Sequence, residues 1–263
     1  MRRHARALAL LVAGFVIGAI AVGGALAARY ETADGTAVTS IKLTGGGLPD
    51  LGASSTYGVA ELPQTIRAYH DSGRYDDDLA EVDSVAKRSL KRQLRRLRES
   101  PGPGKYSECD RRGKKCKRVR PAIVLDIDET SLSNYEGLDA ADFSQAGLVP
   151  GAVGGDDPAI APTLDLYRLA RRRGVEAHFI TGRPEAIRGP TESNLHSVGF
   201  DRGFSLTMKP SGEEVIPYKS GEREEIGEDG FEILVNVGDQ DSDLAGGHAR
   251  RAFKLPNPMY YIP

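Results

Sequence analysis

The apolar positions of this chain change their period several times, and each change marks an element. From Asp76 to Glu99, Leu79, Val82, Ala86, Leu90, Leu94 and Leu97 recur at three- and four-residue steps, which is one face of a helix. Asp76, Asp77 and Asp78 open that helix and Arg95, Arg96 and Arg98 close it, the polarity a helix dipole favours, and Pro101-Gly-Pro-Gly104 stops it. Ala122 to Leu125 is instead a continuous aliphatic run, as in a strand covered on both faces. Leu132 to Pro158 has no period and reads as a flap or small insert. Ala161 to Arg173 is helical again, with Leu164, Leu166, Leu169 and Ala170 on one side and Gly174 beyond its end. Val175 to Ile180 predicts a second strand, followed at Pro184 by a helix that Gly189-Pro190 interrupts, with Thr191 capping a fresh helix to Val198. Phe204 to Met208 is a third strand, a polar helix covers about 218–226, Phe231 to Val237 is a fourth strand and Ala252 to Leu255 a short last one.

Strands alternating with helices at this rhythm predict an α/β fold: a doubly wound, mostly parallel, Rossmann-like sheet with helices on both faces. The expected organisation is an N-terminal segment (1–29), a tether (30–60) and one main domain (61–263) whose first part (61–104) is a helical extension. Sheets of this type bind ligands at the carboxyl ends of their strands. The conspicuous polar residues fall there: Asp126 and Asp128 after the first strand of the sheet, Thr181 and Gly182 after the second, Asp239 and Asp243 after the fourth. Two residues apart on extended chain, Asp126 and Asp128 would face one site.

The ends of the chain add a compartment. Met1-Arg-Arg-His-Ala-Arg6 is basic and Ala7 to Ala28 is uncharged and apolar, which is an export signal; Ala25-Leu-Ala27 suits cleavage, while the length of the run also suits an uncleaved anchor. Either way the basic flank stays inside and the rest is exported, secreted or held at the outer face of the membrane through this segment alone. No cysteine lies near it, which excludes a lipidated N-terminus. Outside the cytosol Cys109 and Cys116 are expected to form a disulfide, since two thiols with no further Cys or His pair make a poor zinc site. Residues 31–60 are rich in Gly, Ser, Thr and Ala, and Gly45-Gly-Gly47 lacks the spacing of a phosphate loop. A net charge of −2 and the absence of Trp argue against nucleic acid as a partner. The basic run from Arg111 to Arg120 reads as a solvated face or as a cluster that raises the local potential for an anionic substrate.

Carboxylates converging on one crevice raise one another's pKa and call for a counter-charge. Oxygen-only ligands without His or Cys suit Mg2+ better than zinc, and Mg2+ commonly shares its shell with a substrate phosphate. Thr181 and Gly182 offer a hydroxyl and open backbone amides to phosphoryl oxygens. A lysine after the third strand would complete charge neutralisation; Lys209 and Lys219 both follow that strand.

Asp126-Ile-Asp-Glu-Thr130, Ile180-Thr-Gly-Arg183, a lysine and Gly238-Asp-Gln-Asp-Ser-Asp243 resemble, in order, the four motifs of the haloacid dehalogenase-like (HAD) superfamily. Tyr218-Lys219-Ser220 and the tail Phe253 to Pro263 are similar to its plant-type and class B acid phosphatases, a branch that includes vegetative storage proteins. The resemblance covers about 60–263. It implies a magnesium-dependent acid phosphatase acting on small phosphomonoesters, with Asp126 as nucleophile, Asp128 as general acid and base, Thr181 on the phosphoryl oxygens, and Lys219, preferred over Lys209, steadying the transferring group. It implies metal ligation by Asp126, the Asp128 carbonyl and Asp239, with Asp243 acting directly or through water. Asp241 departs from the aromatic residue that plant relatives carry. The rival expectation, a non-catalytic storage or surface-binding protein on the same scaffold, would be marked by loss of the nucleophile, and Asp126 is present.

Overall fold

The computed structural model describes residues 29–31, 37–39, 62–99, 106–110, 112–113, 115–201 and 203–260. In chain order the elements are β1 (Arg29–Glu31), β2 (Ala37–Thr39), α1 (Leu62–Asp71), α2 (Arg74–Arg96), β3 (Arg98–Glu99), β4 (Tyr106–Cys109), β5 (Cys116–Leu125), α3 (Tyr135–Ala140), α4 (Leu148–Gly154), α5 (Ala161–Arg172), β6 (Glu176–Pro184), α6 (Arg188–Ser197), β7 (Phe204–Lys209), α7 (Val215–Glu228), β8 (Phe231–Gly238), α8 (Asp241–Leu244) and β9 (Ala252–Lys254).

The centre of the sheet is parallel throughout, in the order β7-β6-β5-β8-β9. The first of these strands in sequence, β5, thus lies in the middle, and the connections wind away from it in both directions. The switch point falls between β5 and β8, where a doubly wound sheet opens its crevice. Alternation along β5 shows why both faces are covered: Ile123 and Leu125 enter a large core with α2, α5 and α6, whereas Ala122 and Val124 enter a second core with Tyr218 and Ile226 of α7. Helices therefore lie on both sides, as the rhythm of the sequence predicts.

Several boundaries differ from expectation, for physical reasons. β5 begins six residues before its aliphatic run, because Cys116 to Val119 pair with β4 in an antiparallel hairpin before the strand enters the parallel sheet. The expected disulfide is present and joins Cys109 to Cys116, direct cross-strand partners in that hairpin. The stretch from Leu132 to Pro158 contains two short helices, α3 and α4, rather than irregular chain alone. Gly189-Pro190 does not interrupt α6: Pro190 sits in the first turn, where its missing N–H has no intrahelical partner to lose. Helix α7 starts at Val215, three residues before the expected start, and α1 precedes the predicted first helix. Strands β1 and β2 fall where a tether was expected, with β2 pairing parallel to β9. The export segment, 1–28, lies outside the described residues, among which no helix is long and apolar enough to cross a membrane.

Candidate active site

The chain leaves β5 at Leu125 and places Asp126 at the strand's mouth, its N–H donating to Val237 O of β8 at 3.0 Å. Ile127 turns into the core, and Asp128 emerges beside Asp126 on the wall of one cavity of about 340 Å3. The sharp turn that follows needs Glu129 at φ 50°. That conformation is held from outside the loop: the buried Glu129 carboxyl accepts the Tyr75 hydroxyl of α2 at 2.6 Å and the Asn134 N–H at 2.5 Å. Burial pushes Glu129 up to about 8 against those two hydrogen bonds.

Two cations organise the floor. Lys219, fifth residue of α7, is buried and donates to Asp126 Oδ1 at 2.6 Å and to Asp243 Oδ1 at 2.5 Å. It stands one turn inside the helix, so the helix N-terminus expected beside it is elsewhere. Burial works against its ammonium, and Asp126 and Asp243 more than reverse that, leaving its pKa raised. Lys209 lines the same cavity but spends its ammonium on the carbonyls of Pro210 and Glu213, at 3.3 and 2.8 Å. Of the two candidate lysines, Lys219 is the one in contact with the carboxylates.

The second cation is Arg183 of β6, which reasoning from sequence left without a role. Its guanidinium forks onto Asp128, Nη2 to Oδ1 at 2.7 Å and Nε to both oxygens at 3.1 and 3.2 Å, and Nη2 also reaches Asp157 Oδ2 at 3.1 Å. Asp157 belongs to the segment after α4 and is secured by Asn134 Nδ2 at 3.0 Å and by Asn194, so the ion pair ties the Asp128 loop to the flap. Thr181 is fully buried and its hydroxyl accepts the Arg183 N–H at 3.1 Å. Gly182 lies exposed on the cavity wall, and a Cβ there would meet nothing within 4 Å. Its backbone is therefore open to a ligand.

Asp239 and Asp243 follow β8. Gly238 must be glycine here, because a Cβ would come 2.3 Å from that of Asp243, which folds back to accept the Gln240 N–H at 2.8 Å. Asn236 Nδ2 and the buried Arg223 hold the Asp243 carbonyl at 2.9 and 2.7 Å. Among the described residues Asp239 accepts from neutral donors alone: Thr130 Oγ1 at 3.0 Å, Gln240 Nε2 at 2.5 Å and Asn257 Nδ2 at 2.7 Å. Burial, reinforced by Asp243, pushes it up to about 6. Asp126 is raised well above the carboxylate range, by burial first and then by its acidic neighbours, with Lys219 opposing.

Oxygens of Asp126, Asp239 and Asp243 lie within 4.8 Å of one another, all buried. One ammonium faces this trio and none of Asp239's donors is charged, so the negative charge is under-compensated. A divalent cation on oxygen ligands fits that imbalance. Asp241 stands away from the trio, its carboxylate 4.0 Å from Lys254 Nζ. Ser242 lines the cavity with a buried hydroxyl that has no partner.

A sequence profile described as HAD superfamily, subfamily IIIB (Acid phosphatase) matches residues 61–263. The chain belongs to that family. It is accordingly a phosphomonoesterase of the acid phosphatase type, and the HAD superfamily resemblance holds. Acid phosphatase 1 of Solanum lycopersicum is 37% identical over 182 residues, 61% of this chain and 71% of that protein. Vegetative storage protein 1 of Arabidopsis thaliana is 33% identical over 148 residues; the match covers 53% of this chain and only 55% of that relative. The class C acid phosphatase from Bacillus anthracis superposes with a TM-score of 0.58 at 18% identity, covering 76% of this chain and 86% of that one, a likeness of fold.

Proposed function

We propose that this is an exported, Mg2+-dependent acid phosphatase that hydrolyses small phosphomonoesters through an aspartyl-phosphate at Asp126. The observation that carries the reading is Lys219 bridging Asp126 and Asp243 at the floor of a cavity whose wall presents Asp128 and Gly182. Asp126, the Asp128 carbonyl, Asp239 and Asp243 would hold the metal. Bound there, it would neutralise charge on the phosphoryl oxygens and on the attacking carboxylate.

The chain's own groups do the rest. The phosphoryl group lies over Asp126, its oxygens met by Lys219, the Thr181 hydroxyl and the Gly182 amide. Asp126 attacks phosphorus, an acyl phosphate forms, and the ester oxygen leaves as an alcohol with the proton of Asp128. Asp128 then takes a proton from the water that attacks phosphorus, inorganic phosphate departs, and both carboxyls return to their starting states. Arg183 orients Asp128 for both transfers, since a bidentate fork fixes the plane of a carboxylate as a single contact cannot. The disulfide is consistent with folding in an oxidising compartment, and the basic-then-apolar start of the chain supplies the route there. The storage-protein reading draws on the likeness to vegetative storage protein 1, and the presence of Asp126, Asp128 and Lys219 together at the cavity favours the phosphatase reading over it.

Turnover of phenyl phosphate should vanish on exhaustive chelation and return with Mg2+. Asp126→Asn should lose at least about a thousandfold, since the amide fills the space but is not nucleophilic. Acid-quenched steady-state enzyme treated with borohydride should carry homoserine at position 126, read by mass spectrometry. Undiminished activity after chelation, or reduction at another residue, would refute the scheme.

A further inference from the structure

We infer that the alcohol portion of the preferred substrate is compact and apolar, a short alkyl or phenolic group rather than a sugar, glycerol or a second phosphate. The inference rests on the phosphatase reading and adds to it the identity of the leaving group.

The cavity is chemically divided. Its floor is polar, but its outer wall is built from Leu148, Val149, Ala152 and Val153 of α4, faced by Ile187 and Val215. Val149 and Val153 are four residues apart, hence on one face of α4, and they are 58% and 54% exposed. Among the described residues the exposed large hydrophobics are these two and Ile216, next to Val215. Two of the three therefore line this one opening, and the third is the chain neighbour of a residue that does. Single exposed aliphatics need no explanation, but a cluster of them continuous with a catalytic floor marks the place where a ligand's apolar part is covered.

The cations of the cavity point to the same class. Lys219 and Arg183 are paired with two carboxylates each, and Lys209 turns its ammonium back onto two backbone carbonyls, so a second anionic group would have to compete with contacts already made. Nor do the aliphatic side chains of the wall offer partners to hydroxyls, so a polyhydroxy alcohol lying against it would lose water there without replacement. The cavity's size, at the low end of the roughly 300–1,000 Å3 typical of ligand sites, sets the limit at a few carbons once the phosphoryl group is seated.

The test is a homologous series. From ethyl to pentyl the leaving-group basicity barely changes, so chain length isolates burial. Binding of n-alkylphosphonates to the Mg2+-supplied enzyme, followed by calorimetry, should tighten by about threefold per methylene, short of the roughly fourfold (~0.8 kcal/mol) of complete burial. For the matching phosphates, kcat/KM should rise with the same slope, and butyl phosphate should exceed glycerol 1-phosphate by at least tenfold. In Val149→Asn/Val153→Asn, altered only at exposed positions, the pentyl-to-ethyl ratio in both measurements should collapse towards one. A flat series, or glycerol 1-phosphate equal to butyl phosphate, would overturn the inference. If no phosphate is turned over, the phosphatase scheme fails, and the phosphonate slope still decides whether the wall selects apolar ligands.

Discussion

Two cations of the site each bridge two carboxylates, and they do so differently. Lys219 joins Asp126, the residue directly after β5, to Asp243 of α8, the short helix that follows β8, so its partners stand at the ends of two neighbouring central strands. Arg183 joins Asp128 to Asp157, a residue of the loop on one side and of the flap on the other. A lysine serves the first position because a point charge is enough between carboxylates that the backbone already fixes. The second needs the planar fork, because Asp128 is 24% exposed in its side chain and takes its orientation from its partner. Compensating charge and setting geometry are separate tasks, and here they fall to separate residues.

Removing the charge should have the largest effect. Lys219→Ala leaves Asp126 and Asp243 buried without their cation and should cost at least about a hundredfold in kcat, whereas Lys209→Ala should change it by less than about threefold. The opposite ranking would make Lys209 the functional lysine. Arg183→Lys keeps charge and loses the fork, and should reduce kcat by about tenfold with little change in KM; a loss confined to KM would make Arg183 a substrate ligand instead.

A buried carboxylate with neither kind of partner supplies the control. Asp83 of α2 accepts a hydrogen bond from Thr163 at 3.1 Å, and its other oxygen has no partner. Burial pushes it up to about 7 from an ordinary 3.8. Because the folded state prefers the protonated acid, this group's stabilising contribution is complete below about pH 4, and it is lost as pH rises from about 4 to 7. Asp83→Asn should flatten the fall in unfolding free energy, read from urea titrations, between pH 5 and pH 8, a fall on the order of a few kcal/mol, and leave turnover within about twofold. Glu129, raised in the same direction, should preserve part of the slope in the variant. An unchanged slope would mean that Asp83 is already charged in the folded protein.

The residues that a sequence exposes most clearly here are those standing next to a strand. Asp126, Asp128, Thr181, Asp239 and Asp243 all follow an aliphatic or β-branched run, and the fold gathers the four aspartates at one mouth, with Thr181 buried directly before Gly182 of the cavity wall. Lys219 needed the resemblance to distinguish it from Lys209, since linear order could not show that one side chain turns back onto carbonyls. The flap helix α4 was hidden by its own composition, Leu-Val-Pro-Gly-Ala-Val-Gly, in which proline and glycine outweigh a seven-residue apolar face. β4 was missed because Tyr106 is its one fully buried position. Asp157, Thr130 and Asn257 act across long sequence separations on Arg183 and Asp239, and no local pattern marks such partners. Arg183 did carry a signal, its place in Thr-Gly-Arg, but a charged residue after a strand does not declare which loop it will hold.

The bond from Tyr75 to Glu129 bears on modularity. On paper the chain divides neatly at the Pro-Gly stretch 101–104, with helices before it and the catalytic sheet after. In the folded molecule the first part reaches the turn between Asp126 and Thr130 through Tyr75, and Gln93 donates to the β8 carbonyl of Leu234 at 2.8 Å. A piece beginning at Tyr106 would retain every side chain of the proposed site and yet bury a glutamate stripped of its hydroxyl donor beneath an uncovered core. The helices and the sheet are therefore not interchangeable parts: a chimera that borrows α1 and α2 from a relative has to bring the matching Asp-x-Asp-Glu turn with them.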